Sequence, residues 1–468
     1  MKHLNIIAVT FLAFTGIGCS VSKDTSLPNV APETFRNFTS KDSSSIGTIS
    51  LKNFINDVTV QGLIDTALVN NYDMQIALKN IEAAEIVYKK SKLGNLPELN
   101  LQIAASSSRP SDNSLNGLTL KQFTGKTHIE DYNASLDVFW EADIWGKIRN
   151  QKAGALASFL QTEEARKAVQ TRLVTNVAQG YYNLLMLDAQ LEIAQKNLEL
   201  NDSTLRIINL QFDAGQVTSL AVQQAAAQQL NAAKLIPKLE QYIALQENVL
   251  SVLIGTMPQA INRSSRLDKM VIPQELNTGF PSVMLKHRPD IKNAELALQA
   301  ANATVGIATA NLYPSLSITA SGGINSFKTS NWFSVPASLF GLVSGGITQP
   351  IFQRGRLKTN LKLAKIDREK TVIQFRQSVL NAVGEVSDEL TKIEKLKEQY
   401  SIAEKRVQTI QEASKNANLL FESGMANYLE VITAQGNLLE GELELAEIKK
   451  EQLNAVVGLY RSLGGGWQ

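Results

Sequence analysis

Cysteine is almost missing from this chain: Cys19 is the only one, which excludes intramolecular disulfides and thiolate metal sites. Proline is scarce, and none occurs between Pro110 and Pro237 or after Pro350. Two long stretches are therefore free of the strongest helix breaker, and very long helices become possible. Neither charge is in excess, with 46 Lys+Arg against 44 Asp+Glu, so there is no basic field for nucleic acid and no acidic tail for a basic partner. After Cys19 no run reaches the roughly 18 apolar residues of a transmembrane helix, so a mature chain that crosses a membrane must do so as a β-barrel. Histidine is confined to His3, His128 and His287, positions that suggest neither a triad nor a ligand set. Phosphate-binding, dinucleotide and nucleophile-elbow motifs are all lacking. The reading is of a protein that is not an enzyme and has no cofactor and no metal.

The N-terminus carries Lys2 and His3, an apolar run from Leu4 to Phe14, and then Thr15-Gly16-Ile17-Gly18-Cys19. This is the charged head, short apolar core and small-residue end of a secretory signal. Its one thiol stands where bacterial lipoprotein signals place theirs, although Gly16 replaces their usual leucine. Residues 1–18 are expected to be removed and Cys19 lipidated, which gives a stable anchor.

The remainder is duplicated. Asn71-Tyr72-Asp73 through Leu96-Pro97 parallels Arg288-Pro289-Asp290 through Tyr313-Pro314 at an offset of 217, and Gln211 to Gly215 parallels Leu420 to Gly424 at an offset of 209. The first repeat is placed at 61–270 and the second at 271–468, after a linker and equatorial segment at 19–60. Between the matching blocks the period changes to two. Leu99, Leu101 and Ile103 alternate with polar neighbours, as do Leu136, Val138 and Trp140, and in the second half Leu316, Ile318 and Ala320. Each half thus predicts one β-hairpin, at about 98–145 and about 315–353, with turns around Ser106 to Lys126 and Gly322 to Ser334.

Downstream of each hairpin the pattern becomes helical. Apolar positions step by seven from Val379 through Val386, Ile393, Tyr400 and Val407, miss at Ser414, and resume at Phe421, a coiled-coil stripe with one shift of register. A helix from Arg356 to Glu422 would be about 100 Å long. Gly424 and Gly215 read as the tips of two long helical hairpins, 356–461 and 147–254. Pro97 and Pro314 stand where a helix stops before a strand, and Gly146 and Gly355 where a strand turns back into helix. Arg288-Pro289-Asp290 reads as a helix start. Four strands cannot close a barrel, so closure requires other copies.

HRPDIKNAELALQAANATVGIATANLYPSLSIT from His287, QPIFQRGRLKTNLKLA from Gln349, WEADIWGKIRNQKAGA from Trp140 and the ending LYRSLGGGW from Leu459 together resemble the TolC-like outer-membrane factors. The resemblance is closest to the lipoprotein branch of resistance-nodulation-division efflux systems, the NodT-type lipoproteins. It implies an α+β membrane protein of the outer membrane of a Gram-negative bacterium. A homotrimer would give four strands per chain to a 12-stranded barrel, continued by a long periplasmic α-helical barrel. Its middle would be belted by residues about 33–60, 236–281 and the last residues. It also implies a passive exit duct in contact with outer-membrane lipid, a periplasmic adaptor (membrane fusion) protein and an inner-membrane pump of the same class. In such proteins apolar and acidic rings close the resting tip, and Asn427 to Gln435 resembles that stretch. Leu429 and Glu430 are its candidates, with Thr433 where many relatives have aspartate. A conduit for protein secretion and a coiled-coil spacer lipoprotein stay open as alternatives.

Overall fold

The computed structural model describes Val21, residues 23–28, Phe35, and residues 45–273, 278–279 and 281–467; Cys19 lies outside them. In chain order the described elements are α1 Leu51–Phe54, α2 Val58–Asn70, α3 Tyr72–Lys92, β1 Glu98–Ser108, α4 Leu115–Thr124, β2 Ile129–Ala142, α5 Lys147–Asp213, α6 Ser219–Leu253, α7 Pro281–His287, α8 Pro289–Ala310, β3 Ser315–Ser326, β4 Leu339–Thr348, α9 Arg356–Glu422 and α10 Tyr428–Ser462. They pack as two units, one of residues 1–27, 82–160 and 296–373, the other of residues 28–81, 161–295 and 374–468.

The first unit holds the sheet. Its order is β1-β2-β3-β4 with every pair antiparallel, so β1 and β4 are edges whose outer hydrogen-bonding groups have no strand beside them among the described residues. Two loop expectations need correction. Residues 106–108 continue β1 and residues 115–124 form a helix, capped by Ser114 and ended by Gly125 in the left-handed region. Gly322 and Gly323 lie within β3 and not in the turn. A Cβ on Gly323 would come within 2.1 Å of the Ala134 carbonyl oxygen, so glycine here serves close strand approach.

The second unit holds the helical core. Long helices α5 and α9 are 67 residues each, and their return helices α6 and α10 are 35 each, so the offset of 209 holds at both ends of both hairpins. One core gathers Val60, Ile64, Val177, Tyr181, Leu184, Leu250 and Ile254; the other gathers Met284, Ile291, Val379, Val386, Leu459 and Leu463. Val177 and Val386, Leu250 and Leu459, and Ile254 and Leu463 are repeat twins. Each fully buried Leu or Ile contributes roughly 1.5–3 kcal/mol. Pro237 lies inside α6, which runs on to Leu253. The coiled-coil miss at Ser414 is only a chemical one, since the serine is buried like Val407 and Phe421 of the same stripe.

Candidate functional site

The sheet has two unlike faces. Register places Glu98, Asn100 and Gln102 of β1 on one face with Asp131, Asn133, Ser135, Asp137 and Glu141 of β2 and with Thr319, Ser321 and Asn325 of β3. The opposite face carries Leu99, Leu101, Ile103, Leu136, Val138, Trp140, Ile318, Val343 and Ile347, with Leu101 and Val343 at 68% and 78% exposure. A contiguous apolar face of this kind requires lipid or another apolar surface against it. On the polar face Ser135 and Ser321 both donate to Asp137, and Asn325 Nδ2 donates to Asp131 Oδ1 at 2.8 Å. The four strands contain Glu98, Glu130, Asp131, Asp137 and Glu141 but no lysine, arginine or histidine, so the polar face carries negative charge alone.

The junctions are pinned by aromatic side chains. Pro97 and Pro314 immediately precede β1 and β3. Trp145 stacks on Tyr313 with centroids 4.7 Å apart, and its Nε1 donates to the Pro314 carbonyl at 2.7 Å. Gly146 and Gly355 take φ of 75° and 79° one residue before α5 and α9. Asp143 then caps α5 by accepting from the Ile148 and Arg149 amides, at the positive helix end.

A second constellation closes the helical hairpins on their own starts. Asn71 Nδ2 donates to the Leu253 carbonyl at 3.0 Å, and its repeat twin Arg288 donates through Nη1 to the Ser462 carbonyl at 2.8 Å. Arg288 is buried and also forks onto Asp290 and reaches Glu385 at 2.9 Å. Burial raises the Asp290 carboxyl, but the hydrogen bonds and charge of Arg288 outweigh it and hold the group below its ordinary value. The motif read as a helix start is thus also a tertiary clip. Gly255 and Gly464, with φ of 72° and 91°, let the chain pass the backbones of Asn70 and His287. Among the described residues no cluster of three His, Cys, Asp or Glu could hold a metal, and no helix is long and apolar enough to cross a membrane.

At the tips Gly215 and Gly424 take φ of 71° and 75°, and Gln216 and Met425 donate back to Gln211 and Leu420, the usual glycine-ended helix. Asn427 caps α10, accepting from the Leu429 and Glu430 amides, while its Nδ2 donates to Glu430 Oε1 at 3.2 Å. Leu429, Glu430 and Thr433 are all exposed, on a groove of about 420 Å³ shared with Ile410 and Ala434. Leu220, the twin of Leu429, is equally exposed, and the offset of 209 could have named it. The sequence reading missed Tyr428, whose hydroxyl donates to Gln224 and joins the two tips. Its sign was only that Tyr428 has Ser219 as twin.

The family model described as outer membrane efflux protein matches residues 63–256 and again residues 280–465, once on each repeat. Among curated proteins, the cation efflux system protein CusC of Escherichia coli O6:H1 is 31% identical over 98% of this chain and 97% of its own. The antibiotic efflux pump outer membrane protein ArpC of Pseudomonas putida is 31% identical over 89% of this chain and 85% of its own. The solved structure of the outer-membrane channel OprN superposes with a TM-score of 0.87 at 26% identity, over 96% of this chain and 100% of that one.

Proposed function

This chain belongs to the outer membrane efflux protein family and is an outer-membrane efflux channel, and from that premise we propose how it conducts. Three copies close their sheets into one barrel, with the polar faces inward around a water-filled passage and the apolar faces against lipid. The duct is passive, and an inner-membrane pump with a periplasmic adaptor delivers its cargo. One observation carries this reading: an antiparallel sheet whose two edges have no strand beside them among the described residues, with one face largely apolar and the other acidic. Unpaired edges in lipid cost several kcal/mol per group, and four strands cannot curl shut by themselves. The passage is expected to favour cations. Cargo follows the pump, since relatives of equal identity bear cation and antibiotic in their names. Leu429, Glu430 and Thr433 form the resting gate, Cys19 is the lipid anchor, and Pro97, Gly146, Pro314 and Gly355 are the junctions between barrel strands and helices.

The test joins mass and conductance. Detergent-extracted protein should run as a trimer by native mass and give cation-selective steps in planar bilayers. A folded monomer, or a trimer that passes no current even with its gate residues replaced, would sink the reading.

A further inference from the structure

Charge is sorted at the junction of sheet and helices. The four strands hold five acidic residues and no basic one. Residues 83–97, 143–160 and 349–366, which join them to α3, α5 and α9, hold eleven lysines and arginines against only Glu85 and Asp143. Since the two signs nearly cancel over the whole chain, this excess is local. Its direction follows from the helix faces. α5 packs on α8 through Gly154 against Ala303 and Asn150 against Gly306, and on α3 through Phe159 stacked on Tyr88, which leaves two faces between them. On one, Lys147 pairs with Glu141 of the polar sheet face at 2.9 Å, and its twin Arg356 on α9 lines the same cavity of about 300 Å³. Two residues further on, a helix has turned by about 200°. Arg149 and its twin Lys358 therefore point the opposite way, to the side of the apolar sheet face.

Lys362 and Lys365 continue the face of Lys358 at helical spacing, and all three are exposed. Like charges so spaced repel, and none of them has an acidic partner among the described residues, although further along the same helix Lys370, Lys392 and Lys395 pair with Asp367, Glu389 and Glu398. The first carboxylates to follow on the two faces are Glu369 and Glu163, about 16 Å beyond Lys358 and about 21 Å beyond Arg149. At the end of β2, Trp140 lies on the apolar face while its Nε1 donates to the Asn95 carbonyl at 2.9 Å, the half-apolar, half-polar setting that tryptophan takes at a membrane surface. We propose that Arg149, Lys358, Lys362 and Lys365 form a collar under the barrel that holds anionic phospholipid headgroups, of the phosphatidylglycerol class, in the periplasmic leaflet. The dimensions agree. Lys358 to Lys365 spans about 10 Å of helix, and the polar layer of one leaflet is about 5–8 Å deep, a difference that lysine covers by lying along apolar surface with its ammonium at the phosphates. A zwitterionic headgroup brings no net charge to offset the stripe, and an anionic one does.

This rests on the barrel reading, which turns the polar sheet face inward, and the test separates the two. Detergent-solubilised trimer offered equal amounts of phosphatidylglycerol and phosphatidylethanolamine should retain the anionic lipid several-fold over the other by native mass spectrometry, and added salt should erase the difference. Lys358→Gln with Lys362→Gln and Lys365→Gln should bring the two lipids to parity. Lys392→Gln with Lys395→Gln and Lys405→Gln removes as many charges further along α9 and should leave the preference in place; all six side chains are exposed, so neither set should disturb the fold. Equal retention of both lipids by the natural trimer overturns the proposal, as does a preference lost equally in the two triple variants. So does a lipid preference untouched by the first variant when that variant alone abolishes sedimentation with peptidoglycan, which would make the collar a cell-wall contact. A particle that is monomeric before lipid is added sinks the barrel reading instead.

Discussion

Arg288 is buried with acceptors from three directions, Asp290 at its own helix start, Glu385 on α9 and the last carbonyl of α10. Charged hydrogen bonds of this kind are worth about 1.5–3 kcal/mol, so Arg288→Met should lower stability by about that amount in a denaturant titration. The pH dependence follows from the depressed Asp290 carboxyl. Its contribution is complete above the ordinary value of 3.8 and is lost as pH falls through the lowered folded value. Unfolding free energies measured from pH 5 downward should therefore decline in the natural protein and decline less in Arg288→Met. At the tip, Leu429 is an exposed apolar side chain in the stretch proposed as the gate. Leu429→Ala should raise resting conductance, and Glu430→Gln should lower the preference for cations, both read from single trimers in bilayers. If neither changes while the trimer stays intact, the gate lies elsewhere.

The repeated elements end under the same constraint twice. Gly255 follows α6 and Gly464 follows α10, each at positive φ, and an added Cβ would lie 2.4 Å from the Asn70 carbonyl oxygen in one case and 2.9 Å from the His287 carbonyl carbon in the other. Because those neighbours are backbone, they cannot swing aside. Gly255→Ala and Gly464→Ala should each cost more than about 1 kcal/mol, through the strained φ and the collision together. The exposed tip glycine Gly215, with nothing near its absent Cβ, bears only the first of these costs. Thermal unfolding of the three variants should rank Gly215→Ala as the mildest, and equal losses would mean that close packing at Asn70 and His287 is not what selects glycine.

For the whole molecule, the charge of the sheet and its open edges make separate predictions. Asp131 and Asp137 lie on the polar face with no basic residue on any strand to offset them. Replacing both by asparagine keeps hydrogen-bonding capacity and removes the charge, so the ratio of cation to anion permeability should fall while total conductance at high salt changes little. An unchanged ratio would place selectivity in the helical tube or the tip. The trimer itself should resist detergent and heat until the barrel melts as one unit, because release of one copy bares four strand edges to lipid, two on that copy and two on the pair left behind.

The duplication, the helical hairpins with their tips at Gly215 and Gly424, the four strands and the resemblance to a channel family were all legible along the chain. These are local matters: periodicity reports which face of an element is apolar, and glycine and proline report where the backbone turns. What those local signals leave free was set by packing between distant parts of the chain. Pro237 stands within α6 because packing along a 35-residue helix outweighs one missing hydrogen bond, and residues 115–124 became helix because Ser114 caps them inside what reads as a loop. The Arg288 clip joins residues 174 positions apart at Ser462, and no pattern along the chain connects them. The difference between Ala221, buried with Val431 and Phe421, and its exposed twin Glu430 appears only when both halves are folded side by side. Twin sequences predict twin surfaces, but one chain has partners for just one of them.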